Sequence, residues 1–333
     1  MNVVEYTVRY INARAMEIIM VKELVKGTLD YIYERIDINA LDNIYFSYLN
    51  EDKKYRHEMT NLLLDSFKEI LKACEGEELY YYIKSFLIHA TNSLEVYKDF
   101  INVCIRDCNL TKENKYCLYL HASEMTFLGI VQGDEESGML LDDLYRQVIE
   151  EFRNSINVSY NFIEEKDRNH DLIIVMTCQM LELMHGPTKT LLDRCSVIKN
   201  TMKKNVLIIN TAEKTRINGF VDVFNARQGR YMYEYCHKDT IEFKGETFPI
   251  IQCPDNMPDS SVIEQLVGGI AEYKPYCIVS IGGDSIVNDL CSKIVPTITI
   301  STVPSSRTQT YGQFQAIGKK ISDEDMRWAK KII

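Results

Sequence analysis

The sequence predicts an all-helical domain over residues 1–165 followed by an α/β domain with a doubly wound parallel sheet over residues 170–320. Three observations predict it. Residues 1–165 contain no proline, so nothing breaks a helix from within, and their apolar side chains recur at helical spacing. A charged run, Glu164-Glu165-Lys166-Asp167-Arg168-Asn169-His170, then changes the texture of the chain. Beyond it, short apolar runs alternate with helical patterns, the order that builds a parallel sheet between helices.

Taken in order, the first helical stripe runs from Met59 to Gly76 through Leu63, Phe67, Ile70, Leu71 and Cys74. Gly76 stands where a left-handed residue would end that helix. Tyr97, Phe100, Ile101, Cys104, Ile105 and Cys108 form a second stripe, and Leu141, Leu144, Tyr145, Val148 and Phe152 a third. Polar side chains occupy the opposite faces, as amphipathic helices require. No fixed-period repeat is evident, so a solenoid is not expected. In the second half the apolar runs are Asp171–Met176, Asn205–Ile209, Phe248–Ile251, Tyr276–Ile281 and Pro296–Ile300. Their shortness and lack of alternation suit strands buried on both faces. Helical patterns lie between them at Thr188–Met202, Ser260–Tyr273 and Ser285–Ile294. The stretch Lys214–Gly245 is read as a helix, a loop and one extra strand around Tyr231–Tyr235.

The balance of 48 acidic against 38 basic residues, a net charge of -10, disfavours a nucleic-acid binder, which needs a basic face to displace counterions. The ten cysteines show no zinc-ribbon spacing and no secretory core precedes them, so free thiols and a cytoplasmic location are expected. No stretch approaches the roughly 20 apolar residues that cross a bilayer. The six histidines are scattered and H-E-x-x-H is absent, so no metal site is expected. The dinucleotide, P-loop and nucleophile-elbow motifs are absent as well.

In an open α/β sheet the ligand crevice lies beyond the carboxyl ends of the strands, so the residues after each strand carry the information. After the first run comes His185-Gly186-Pro187-Thr188. Proline fits the first helical turn, and a helix amino terminus attracts anions or sugar oxygens. A plain strand-to-helix turn explains the same residues. After the fourth run comes Gly282-Gly283-Asp284-Ser285, where glycine permits a tight turn and Asp284 or Ser285 caps the next helix. After the fifth come Thr302, Ser305, Ser306 and Arg307, in which Arg307 could meet a phosphate; a solvated loop is the other reading. His89 and His121 sit in helical stretches and read as structural.

Three segments together resemble the amino-terminal Rossmann-like domain of GT-B glycosyltransferases, over about residues 170–320. They are Met184–Lys189 with the following helix and Val206–Asn210, then Tyr276–Cys291, then Pro296–Ile300 with Gly312-Gln313-Phe314. The placement of the helical half is similar to bacterial cytoplasmic enzymes that carry helices ahead of two Rossmann-like domains, among them transferases that glycosylate adhesins. The resemblance implies that this sheet holds the acceptor, a protein or glycan. A carboxy-terminal domain would hold the nucleotide-sugar, the donor substrate, with no cofactor or metal. It makes His185 the candidate general base or acceptor contact, since imidazole titrates near neutral pH. Gly186, Pro187, Thr188, Gly282, Gly283, Asp284, Ser285 and Arg307 are the candidate substrate-binding residues. Residues 321–333 read as the start of a truncated helix or linker, so the chain alone is expected to be inactive. Two other readings remain: a protein-interaction module with a degenerate α/β domain, and an unrelated α/β binder using the Gly282-Gly283 turn.

Overall fold

The computed structural model describes residues 64, 65, 67, 68, 71, 72, 74–215, 221–226, 229–303 and 309–316. Most of the Met59–Gly76 stripe, Arg307 and residues 321–333 lie outside the described residues. The chain divides into two compact units. The first gathers residues 1–109, 122–140 and 221–226, and the second residues 110–121, 141–220 and 227–333. Residues 110–121 and 141–165, which precede the charged run, therefore cluster with the sheet.

Helices α1 (Glu78–Thr91) and α2 (Leu94–Arg106) lie in the first unit. Gly76 does take a left-handed φ of 84° just ahead of α1. Helix α1 is buried nearly all round, from Tyr80 to Ala90, whereas α2 buries one stripe of Tyr97, Phe100, Ile101 and Cys104. Ser93 starts α2 by accepting the Val96 N–H. Phe224 returns into this unit, with its N–H on Ser85 Oγ at 2.7 Å and its ring 5.0 Å from that of Phe86, edge-on. Helices α3 (Lys112–Phe127) and α4 (Glu135–Ser155) each run through both residue groups. In α4, Leu144, Tyr145, Val148 and Phe152 are buried at helical spacing.

The second unit is built on strands β1 (Asn169–Thr177), β2 (Asn205–Asn210), β3 (Thr240–Phe243), β4 (Glu246–Gln252), β5 (Pro275–Ile281), β6 (Thr297–Ile300) and β7 (Phe314–Ala316). Between them come helices α5 (Gly186–Asn200), α6 (Ser260–Tyr273) and α7 (Ile286–Cys291). The sheet order is β3-β4-β2-β1-β5-β6-β7, parallel except for the β3–β4 pair. Among the parallel strands, the first three in the chain run outward in reverse and the next three run on the other side. This is the Rossmann-like order, with its switch point between β1 and β5. Register fixes the centre: Val175 faces Ile208 on one side and Val279 on the other. All five apolar runs are strands. Their buried residues, with Leu191, Leu192 and Cys195 of α5, form the core.

Three local expectations change. The stretch around Tyr231–Tyr235 is a short 3-10 turn, Tyr233–His237, rather than a strand. Its aromatics are placed by anchoring, since the Tyr235 hydroxyl donates to the Leu181 carbonyl at 2.9 Å from within the core. The helix expected at Ser285–Ile294 ends at Cys291, where the Ile294 and Val295 N–H groups both turn back to the Cys291 carbonyl. Strands β3 and β7 were not anticipated. The β3–β4 hairpin turns at Lys244 and Gly245, with φ of 52° and 78°, the two-residue turn that suits the twist of paired strands. All ten cysteines are free thiols, and only Cys108 and Cys236 are exposed. Among the described residues no helix is long and apolar enough to cross a membrane.

Candidate functional site

The turns that follow β1, β2 and β5 are stitched together at the switch point. The Thr211 N–H donates to the Thr177 carbonyl at 2.8 Å, and the Lys214 N–H to that of Cys178 at 3.2 Å. The Cys178 thiol donates to the Gly283 carbonyl at 3.4 Å. Two residues other than glycine sit in left-handed backbone here: Ala212 at φ 55° after β2 and Asp284 at φ 62° after β5. That conformation strains an L-residue and concentrates at sites where geometry matters. Gly282, at φ 90°, makes the bend before Asp284, and Asp284 is tied by its N–H to the Gln309 carbonyl at 2.9 Å.

The side chains on these turns form a polar group. Lys214 Nζ donates to Asp284 Oδ2 at 2.6 Å, and the Tyr119 hydroxyl donates to Asp284 Oδ1 at 2.6 Å. The Tyr116 hydroxyl donates to the Asp284 carbonyl at 2.6 Å. Both tyrosines come from α3, fully buried one helical turn apart. Burial raises their pKa values well above the ordinary phenol value, so they remain donors. Lys214 and Asp284 keep 29% and 17% of their side-chain exposure, enough for a ligand to reach the pair. Burial works against the Lys214 charge. Asp284, with Cys178 and Glu213 beside it, outweighs burial and lifts the ammonium pKa above its usual value.

Behind this pair, Glu213 is completely buried. Its carboxylate accepts from Ser285 Oγ at 2.7 Å, from the Val287 N–H at 3.0 Å and from the Thr211 hydroxyl. Burial still raises its pKa. Ser285 also caps α7, accepting the Asn288 N–H at 3.2 Å, so its hydroxyl is committed on both sides. Deeper still, Asp289 accepts from Tyr145 at 2.8 Å, Thr310 at 2.8 Å and Asn288 at 3.0 Å. Burial pushes the Asp289 carboxyl up to about 7 despite those donors.

The β1–α5 turn forms a separate group. His185 is the N-cap residue of α5, followed by Gly186 and by Pro187 in the first turn. The Leu181 N–H donates to Thr188 Oγ1 at 2.9 Å, and His185 Nδ1 lies 3.1 Å from the same oxygen. Thr188 is buried, whereas Gly186 is exposed. Partial burial lowers the His185 pKa; Glu182 opposes this, and Arg230, ion-paired to Glu182, adds to it. Among the described residues no hydrogen bond joins His185 to the Lys214–Asp284 group. No cluster of three or more His, Cys, Asp or Glu suited to a metal occurs among the described residues.

Apart from Arg307, which lies outside the described residues, the sequence-predicted residues fall on two turns, after β1 and after β5. Glu213, Lys214, Tyr116, Tyr119 and Asp289 were not singled out. The signal for Glu213 and Lys214 was present, because Thr211-Ala212-Glu213-Lys214 directly follows the β2 run. The tyrosines carried only the helical spacing of core residues.

No protein-family model matches the sequence, and no curated protein does. Among solved structures, the chain is similar to a mutant O-GlcNAc transferase of Thermobaculum terrenum, with a TM-score of 0.40 and 10% identity. The match covers 86% of this chain and 51% of that one, so the chain spans about half the length of the structure it matches.

Proposed function

We propose that this chain is the acceptor-side portion of a glycosyltransferase, presenting an acceptor hydroxyl to a nucleotide-sugar held by another domain. One observation carries the reading. In a dinucleotide-binding sheet the nucleotide's phosphates approach a helix amino terminus near the switch point. Of the two helix amino termini at the switch point, that of α7 is already filled by the Glu213 carboxylate, bonded to Val287 and Ser285. A second negative charge beside it is disfavoured, which fits a sheet serving the uncharged reactant.

In this reading His185 takes the acceptor proton. The neutral ring with its proton on Nδ1 donates to Thr188 Oγ1 and leaves Nε2 with a lone pair. The lowered pKa keeps that ring neutral at pH 7. As the oxygen attacks the sugar carbon, its proton passes to Nε2 and the nucleotide departs from the other face.

The test compares the full-length gene product with the 333-residue chain for transfer and hydrolysis across UDP-, GDP- and TDP-sugars. Transfer by the long form, its loss in the short form, and a fall of roughly 100-fold in His185→Ala support the proposal. Absence of turnover in both forms would overturn it.

A further inference from the structure

The Lys214–Asp284 pair has a use beyond holding two turns together. Lys214 offers three protons and gives one to Asp284 Oδ2; no other partner for Nζ occurs among the described residues. Asp284 receives Lys214 on one oxygen and Tyr119 on the other, which leaves acceptor capacity on each. Donor and acceptor therefore stand side by side, half a hydrogen-bond set each, and both side chains remain accessible.

The pair is held as a built site is. Asp284 is pinned through its N–H, its carbonyl and both carboxylate oxygens. Lys214 is pinned through its own N–H, and Gly229 lies flat on the Lys214 and Thr215 carbonyls, where a Cβ has no room. Such rigidity spends little entropy when a ligand arrives.

Charge decides what fits. Lys214 and Asp284 cancel, and the neighbouring Glu213 is an acid, so the site offers no net positive charge to a phosphate or carboxylate. A neutral ligand with adjacent hydroxyls fits: one hydroxyl accepts from Lys214 while its neighbour donates to Asp284. We propose that the Lys214–Asp284 pair is a binding subsite for a vicinal diol of a neutral sugar or polyol. The inference names the ligand chemistry at the crevice of the proposed transferase, but it stands on the pair's own geometry and requires no transfer.

The experiment uses the 333-residue chain carrying 13C,15N-lysine incorporated during expression, which leaves every ammonium unmodified. Methyl glucoside, methyl N-acetylglucosaminide, inorganic phosphate and pyrophosphate are each titrated to tens of millimolar. The expected result is saturation transfer to the two glycosides and a shift of the Lys214 ε-methylene signal, assigned with Lys214→Arg. The phosphates should shift it at least tenfold less at equal concentration. Lys214→Met should abolish the saturation transfer. If that variant melts early, Tyr119→Phe, which removes the bond that fixes the Asp284 carboxylate in place, should weaken glycoside binding several-fold. Absence of glycoside binding, binding indifferent to both variants, or tighter binding of phosphate would overturn the inference. Glycoside binding without transfer by the full-length protein would sink the transferase reading and leave this one standing.

Discussion

Glu213 closes the amino terminus of α7 from the loop after β2, its Oε1 accepting the Val287 N–H at 3.0 Å. The same carboxylate gathers two hydroxyls, so every donor around it is spoken for. Glu213→Gln keeps the shape but turns an N–H₂ group toward one of those donors. A buried donor left unanswered costs about 1–3 kcal/mol. Urea unfolding should show the unfolding free energy fall by that amount, through a lower midpoint with an unchanged slope.

Asp289 predicts an unusual dependence on pH. Tyr145 from α4, Thr310 from the loop after β6 and Asn288 from its own helix donate to it, yet burial holds its carboxyl at about 7. Its folded-state pKa lies above the ordinary value near 3.9, so the folded form binds the proton more tightly. Stability from this group is therefore full below about pH 4 and is lost as pH rises to about 7. The raised pKa of Glu213 acts in the same direction. Thermal melts from pH 4 to 8 should show the decline, and Asp289→Asn should flatten it.

Gly229 lies against the backbone carbonyls of Lys214 and Thr215. Neither can swing aside as a side chain would. Gly229→Ala should then displace the turn after β2 and cost about 1–3 kcal/mol, the usual penalty for overpacking. A lower melting temperature together with a shifted Lys214 signal is the expected outcome; a neutral substitution would show that the turn yields freely.

His185 should titrate below the ordinary histidine value near 6.5, because partial burial disfavours its charged form. Glu182 stabilises the imidazolium and Arg230 opposes it. Glu182→Gln should lower the pKa further, and Arg230→Ala should raise it. Imidazole proton NMR reads both. Any activity that uses neutral His185 should rise with pH through that pKa and level off above it.

The central strands were legible because each is a continuous apolar run buried on both faces, as at Ile173–Met176 and Ile278–Ile281. Strands β3 and β7 were not. Thr240–Phe243 is polar at alternate positions and rests on a turn, and Phe314–Ala316 has only three residues, partly exposed. The strand expected at Tyr231–Tyr235 failed because tyrosine spacing there answers to hydroxyl anchors. The site was half legible. Rules for turns after strands reached His185 and Asp284, and would have reached Lys214. They could not reach Tyr116 and Tyr119, which are distant in sequence and look like core residues until the fold sets their hydroxyls on Asp284.

The distribution of thiols has a practical consequence. Eight of the ten cysteines are buried, and the two exposed ones fall one in each compact unit, Cys108 in the first and Cys236 in the second. The unaltered protein therefore accepts a pair of maleimide dyes, one per unit. Energy transfer between them would follow any change in separation as sugars or nucleotides are added, with no residue mutated to install the labels.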